Sequence, residues 1–199
     1  MVGIVPVGPM AFIARRAAGI STVTGVEEAV SPALVVTSLI IPDQKTSDGI
    51  LIKSTSLIWA EIAKEFAKDF SRAMQLTPAQ WEEMIAGAYT KDGYSVILTP
   101  RSGDFGRDVI AWKSGVGSVK VLGSVKAYKP GHLVDAEAVR SLIGVVSADR
   151  QASKGIITTT SDFAPKITED PSIAPFIPTR IELMNREAIQ SWLADLTKM

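Results

Sequence analysis

Four stretches of this 199-residue chain repeat apolar residues at helical spacing, and the segments between them are short and bounded by glycine, proline or aspartate. Ile58, Ile62, Phe66 and Phe70 return every fourth residue, which predicts a helix over Ser56–Met74 with one apolar stripe. Its wet side pairs Glu61 with Lys64, Glu65 with Lys68 and Asp69 with Arg72. Thr77-Pro78-Ala79-Gln80 combines an N-cap threonine, a proline at the first helical position and a glutamine at the third, so a second helix starts there and runs to about Thr90. Further helices are expected at 135–147, with Ala138, Leu142, Val145 and Val146 on one side, and at 187–196. Strands are expected at 94–99, 107–112, 118–127, 154–160 and 180–183, and Ser114-Gly115-Val116-Gly117 fits a hairpin turn between the second and third. Trp59 and Trp192 fall on apolar helix faces and are expected in the core.

The first 54 residues are less regular. Val2–Ile13 is apolar but broken by Pro6 and Pro9, Val30–Ile41 is β-branched and stops at the turn signal Pro42-Asp43, and Ile50–Ile52 suits a short strand. The expected organisation is an N-terminal arm over 1–54, a connecting helix over 55–75 and a main domain over 76–199 in the order α-β-β-β-α-β with a terminal β-α. A hairpin followed by a helical crossover implies a mixed sheet with helices on both faces. The arm is either a β-rich dimerisation element or an extension packed on the main core.

Composition removes several chemistries. The chain has no cysteine and one histidine, His132, which excludes disulfides, thiolate sites, a cysteine nucleophile and a two-histidine zinc site. No apolar run is long enough to span a bilayer and no charged leader precedes one, so the expected setting is the cytoplasm. Lys154-Gly155 lacks the surrounding spacing of a nucleotide-binding loop. The 21 basic residues balance 21 acidic ones, yet Lys91–Pro130 holds seven basic residues against Asp92, Asp104 and Asp108. That local excess suits a polyanion, or else its lysines only solvate strand ends.

The basic stretch also carries Gly103-Asp104-Phe105-Gly106-Arg107-Asp108 and, ending eighteen residues after Asp108, Ser124-Val125-Lys126. A carboxylate opening one strand and a lysine on the next can hold a divalent cation against a phosphate and place an ammonium beside an attacking water. Together with Trp81-Glu82, Gly93-Tyr94-Ser95-Val96, Tyr128, Lys154-Gly155-Ile156-Ile157-Thr158-Thr159 and Phe163-Ala164, and in that order, these residues resemble the Mrr-type catalytic domain of restriction endonucleases over about 76–199. The resemblance implies a restriction-endonuclease-like core and a Mg²⁺- or Mn²⁺-dependent DNA endonuclease acting in restriction or anti-phage defence, with a homodimer supplying two centres for two strands.

Carried onto this sequence, the family's helix glutamate is Glu82, its strand aspartate is Asp108 and its lysine is Lys126, with the Val125 carbonyl as a further metal ligand. Asp104 matches a turn aspartate that holds the loop or ligates through water. Of the adjacent pair, Glu82 sits roughly 110° from the centre of the buried helix face while Glu83 points away, so Glu82 is the ligand and Glu83 a solvated charge. Arg101, Arg107, Tyr128, Lys129 and His132 are expected to contact DNA, and His132, in the loop after Pro130-Gly131, reads as an exposed residue before a catalytic one. The departure is Ser124, which stands where the family has Gln or Glu and is too short to ligate well. Two other readings follow: a nuclease fold that binds nucleic acid with weak or lost cleavage, and a partner-binding protein working through its apolar arm.

Overall fold

The computed structural model describes residues 38–100 and 106–198, and in that span the strands form one seven-stranded sheet whose order follows the chain. Strands β1 (Ile40–Lys45), β2 (Ile50–Thr55), β3 (Ser95–Leu98), β4 (Val109–Lys113) and β5 (Val119–Lys126) each pair antiparallel with the next of these five. Strands β6 (Lys154–Thr159) and β7 (Ile181–Met184) continue the sheet parallel to β5. Parallel pairing needs a crossover, and α3 (Ala136–Ala148) supplies it on one face. Helices α1 (Leu57–Lys68), α2 (Pro78–Lys91) and α4 (Arg186–Leu196) cover the other. The expected α-β-β-β-α-β order is therefore present as α2-β3-β4-β5-α3-β6, a mixed sheet between helical layers.

Alternation along the strands divides the core in two. Val96, Val109, Ala111, Val121 and Ile156 meet Trp59, Phe66, Trp81, Met84 and Leu193 on one side. Ile97, Ile110, Leu122 and Ile157 meet Val139, Leu142 and Val146 on the other. The capping box at α2 forms as the sequence dictates: Thr77 Oγ1 accepts from Gln80 N–H and the Gln80 side chain accepts from Thr77 N–H. The β4–β5 hairpin also forms, from Val109 opposite Gly123 to Lys113 opposite Val119.

Several expectations are corrected. From the region expected as an N-terminal arm over 1–54, β1 and β2 form the outer two strands of the sheet among the described residues, and Ile52 joins the α2-side core. Pro42-Asp43 is no turn; Pro42 lies inside β1, where an edge strand tolerates a missing N–H, and the register against β2 shifts around it. The helix drawn over 56–74 breaks at Asp69, whose extended backbone (φ −142°) turns its carboxylate onto Ser71 N–H and Oγ, and a 3₁₀ stretch, Phe70–Gln75, follows. The buried stripe of α1 is Trp59, Ile62, Ala63 and Phe66, leaving Ile58 exposed. Glu83 does leave the α2 core face, but it is not a bare surface charge: its Oε2 accepts from Leu39 N–H (2.6 Å) and Ser38 Oγ (3.0 Å), fixing the start of β1. Residues 1–37, and with them the apolar Val2–Ile13 and most of the β-branched Val30–Ile41, lie outside the described residues.

The β1–β2 turn is fastened to the main domain from both sides. Gly49 has φ +148°, and a Cβ there would collide with the Leu98 carbonyl oxygen, so only glycine lets the turn lie against the end of β3. Beside it, Asp48 accepts from Arg107 Nη2 (3.2 Å), while Arg107 Nη1 also stands 3.8 Å from Asp149, whose carboxylate takes the Lys120 ammonium at 2.8 Å. Burial alone would raise the Asp149 carboxyl; the Lys120 hydrogen bond, the Gln151 N–H and the two nearby cations outweigh it and hold the carboxyl below the usual carboxylate range. A depressed folded-state pKa contributes stability above the unfolded value near 3.9 and loses it as pH falls.

Two outcomes test these contacts. Asp149→Asn should lower unfolding stability by about 1 kcal/mol at neutral pH, and the gap from wild type should close as urea titrations are carried down through the Asp149 titration. Gly87→Ala should destabilise even though alanine favours helix by about 1 kcal/mol, because the new methyl overlaps the indole of Trp59, which donates to the Met84 carbonyl at 3.0 Å. Overpacking of that kind costs about 1–3 kcal/mol, so urea titration should give a net loss; a gain would mean the indole moves freely.

Candidate active site

Asp108 sits one residue before β4, at the point where β4 and β5 part. Its backbone is held on both sides: Asp108 N–H donates to the Gly123 carbonyl at 2.8 Å, and its own carbonyl accepts from Thr99 N–H and Thr99 Oγ1, both at 3.1 Å. Thr99 Oγ1 also reaches the Arg107 carbonyl at 2.6 Å, so one buried threonine at the end of β3 pins the whole Arg107–Asp108 segment. The ladder's last pair is Val109 with Gly123, and continuing the register by one step sets Asp108 opposite Ser124. There the backbone ladder stops, and Asp108 Oδ2 accepts the next N–H, that of Val125, at 2.5 Å.

Strand alternation then sorts the Ser124-Val125-Lys126 triplet. Val125 turns its side chain into the core on the α2 side, whereas Ser124 and Lys126 project to the α3 face with Leu122. The Ser124 and Lys126 carbonyls point toward β6, where threonine hydroxyls bond them, so the Val125 N–H and carbonyl both point toward the β4 side and Asp108. Sequence neighbours thus bring four groups to one strand end: the Asp108 carboxylate, the Ser124 hydroxyl, the Val125 carbonyl and the Lys126 side chain. Ser124 is buried at 5% exposure, and Lys126 is half-buried. Among the described residues, no carboxylate pairs with Lys126 or Lys129 within salt-bridge distance.

The other expected residues are placed less uniformly. Glu82 is half-buried in the first half of α2, the helix that packs on the opposite face of the sheet from α3. Arg107 is 20% exposed and directs its guanidinium at Asp48 and Asp149, which gives it a structural partner set in place of an open cationic surface. Tyr128 and His132 meet edge to face with ring centroids 4.4 Å apart, across a turn closed by His132 N–H donating to the Lys129 carbonyl. Lys129 and His132 are exposed at that turn, just beyond Lys126. Arg101 and Asp104 lie outside the described residues.

In kind, these donors suit a hard divalent cation, which prefers carboxylate and carbonyl oxygens. In number they are few: the described residues contain no cluster of three His, Asp or Glu side chains able to hold a metal. Sequence reading missed the hydroxyl bonds of Thr99, Thr158, Thr159 and Thr160, because a strand threonine shows no partner until the fold supplies one. Among the described residues no helix is long and apolar enough to cross a membrane.

Three solved restriction endonucleases have similar folds. MspJI in complex with a 27-mer oligonucleotide is 18% identical, with a TM-score of 0.46 and coverage of 66% of this chain and 31% of that one. The DNA modification-dependent restriction endonuclease AspBHI is 17% identical (TM-score 0.48; 80% and 39%), and restriction endonuclease FokI is 12% identical (TM-score 0.48; 74% and 32%). The chain therefore spans well under half the length of these proteins. No functionally curated protein matches it in sequence. The family model described as restriction endonuclease, Mrr_cat, matches residues 72–193, which is more than half of the chain and includes Glu82, Asp108, Ser124 and Lys126. The chain belongs to that restriction endonuclease family.

Proposed function

We propose that this protein is a divalent-metal-dependent DNA endonuclease that hydrolyses phosphodiester bonds in a restriction or anti-phage role in the cytoplasm. The observation that carries the reading is the strand end where Asp108, the Val125 carbonyl and Lys126 meet, inside the family-matched region. Asp108 and the Val125 carbonyl would hold Mg²⁺ or Mn²⁺, with Glu82 of α2 as the further ligand that the family resemblance implies. When bound, such an ion neutralises phosphate charge and acidifies a water molecule. Lys126 stands beside the attacked phosphorus and offsets the charge that develops on its oxygens. Lys129, with the Tyr128–His132 pair, meets the DNA backbone beyond the scissile bond, and Arg101 is a further DNA contact that the sequence suggests. Arg107, already committed to two carboxylates, contributes to holding the segment before β4. Cutting both strands calls for two centres, and a symmetric homodimer provides them.

A second reading has its own support. Ser124 brings neither a charge nor a long oxygen donor to the position opposite Asp108, and three acidic or imidazole side chains do not converge among the described residues. A protein of this kind binds DNA and cleaves it weakly or not at all.

Plasmid nicking in Mg²⁺, Mn²⁺ or EDTA separates the two. Asp108→Ala and Lys126→Ala should each slow nicking by about 100–1,000-fold while far-UV circular dichroism stays as in wild type, since neither side chain is in the core, although Asp108→Ala should also lose about 1–3 kcal/mol of stability by leaving the Val125 N–H without its acceptor. Wild-type rates in either variant would displace the site from this strand end. DNA binding by wild type with no nicking in either metal would establish the second reading.

Ser124→Glu gives the sharper result. A buried carboxylate destabilises the metal-free protein unless a cation pairs with it. The variant should therefore unfold earlier in EDTA, recover in Mg²⁺, and reach half-maximal nicking at roughly tenfold lower Mg²⁺, by analogy with the gain from one added charged ligand. A preference for Mn²⁺ in wild type should fade in the same variant, because Mn²⁺ binds oxygen and nitrogen donors more tightly and tolerates the poorer site. Unchanged metal titrations would mean that another group already completes the shell.

A further inference from the structure

Three consecutive threonines, Thr158 and Thr159 at the end of β6 and Thr160 just past it, send their hydroxyls to alternate carbonyls at the end of β5 and two residues beyond it. Thr158 Oγ1 donates to the Ser124 carbonyl at 3.4 Å, Thr159 Oγ1 to Lys126 at 3.0 Å and Thr160 Oγ1 to Tyr128 at 2.6 Å. Successive strand residues point to opposite faces, so this seam is stitched from both sides of the sheet. Thr159 occupies the position directly across from Lys126 in the parallel register, and its side chain lies on the same face as the lysine's. It is 1% exposed.

The Lys126 carbonyl is unusually loaded. Besides Thr159 Oγ1 it accepts Tyr128 N–H at 3.0 Å and Thr160 N–H at 3.2 Å, three donors on an oxygen with two lone pairs. The same Thr159 hydroxyl accepts Ser161 N–H at 3.2 Å, which ties the bend at the end of β6 into the contact. On the other side of β5, the preceding residue gives its N–H to the Asp108 carboxylate. The Val125–Lys126 segment is therefore gripped from β4 by an acidic side chain and from β6 by a hydroxyl. Between the two grips lie the Val125 carbonyl and the root of the Lys126 side chain.

We propose that Thr159 is a positioning residue for the strand end that presents Val125 and Lys126, acting through its hydroxyl on the Lys126 carbonyl; this rests on the nuclease reading given above. Strand pairing alone fixes the backbone of a central strand, but β5 outruns β4 here and keeps only its β6 partner. A catalytic group displaced by a fraction of an ångström loses much of its effect, and Thr159 removes that freedom without touching substrate. Its mechanical role differs from that of a core threonine, because what it holds is the peptide that carries the lysine.

The test compares wild type, Thr159→Val, which keeps the shape and deletes the hydroxyl, and Thr159→Ser, which restores it. Two readouts are taken: single-turnover nicking with DNA affinity measured alongside, and residue-resolved amide exchange of the metal-free protein. Thr159→Val should nick about tenfold more slowly at saturating metal with DNA affinity unchanged, and Thr159→Ser should return to within about threefold of wild type. In exchange, the Val125 and Ser161 amides of Thr159→Val should lose protection by about tenfold. The Ala111 and Leu122 amides, inside the sheet, should stay as they were, which sets a local release apart from general destabilisation. Nicking by Thr159→Val at the wild-type rate overturns the proposal. So does unchanged protection at Val125, which would show that the hydroxyl supports only the β6 bend. A wild type that binds but never nicks rejects the nuclease reading instead, and the Val125 amide then decides the clamp by itself.

Discussion

A strand that loses its neighbour must satisfy its backbone some other way, and β5 meets that requirement at Val125. On the β4 side the hydrogen-bonded ladder ends with Val109 and Gly123, and the next N–H is taken by the Asp108 carboxylate. An ionised acceptor makes the stronger kind of hydrogen bond, and here it stands in for a strand that has turned away. The same carboxylate is the acidic group on which the proposed chemistry depends. Folding and function therefore draw on one contact: the residue that terminates the hairpin is the residue offered to a cation. The neighbouring segment is built to keep that residue in place, with Thr99 holding its carbonyl and Arg107 anchored to Asp48 and Asp149.

Chain economy follows from this placement. Asp108 and Lys126 belong to one hairpin, so their approach depends on a turn of a few residues, Ser114–Ser118, and on a register set by alternating apolar residues. The groups from farther along, Thr159 and its neighbours, come by parallel pairing through α3. Strands β1 and β2 add support to the region from the opposite direction, through Asp48 at their turn. Residues distant in sequence thus brace a pair that is close in sequence.

That division explains what could be read from the sequence. The α2 capping box, the β4–β5 hairpin, the crossover helix and the juxtaposition of Asp108 with Ser124-Val125-Lys126 all rest on local signals: a cap, a turn, a period, a spacing. They were legible for that reason. Features decided by distant partners were not. Arg107 reads as a free cation beside a site until Asp48 and Asp149 are brought to it, and Glu83 reads as a solvated charge until β1 arrives with the Leu39 N–H. The end of α1 was obscured by a correct apolar period, because Phe70 keeps the spacing while Asp69 breaks the backbone in favour of Ser71. Pro42 misled in the opposite sense. Proline signals a turn in most contexts, and only the sheet order reveals that this one lies in an outermost strand.

The rim of the sheet at β1 has a consequence for self-association. An exposed strand edge is a template on which another chain can add a strand, leading to uncontrolled growth. Pro42 removes one donor from β1, the shifts at Ile41/Pro42 and Pro42/Lys45 break its regularity, and Asp43 and Lys45 put charges of both signs along it. A second sheet meeting that rim would find neither a continuous row of amides nor an apolar strip. Among the described residues, then, the outer strand is one that discourages sheet-to-sheet polymerisation along its own edge.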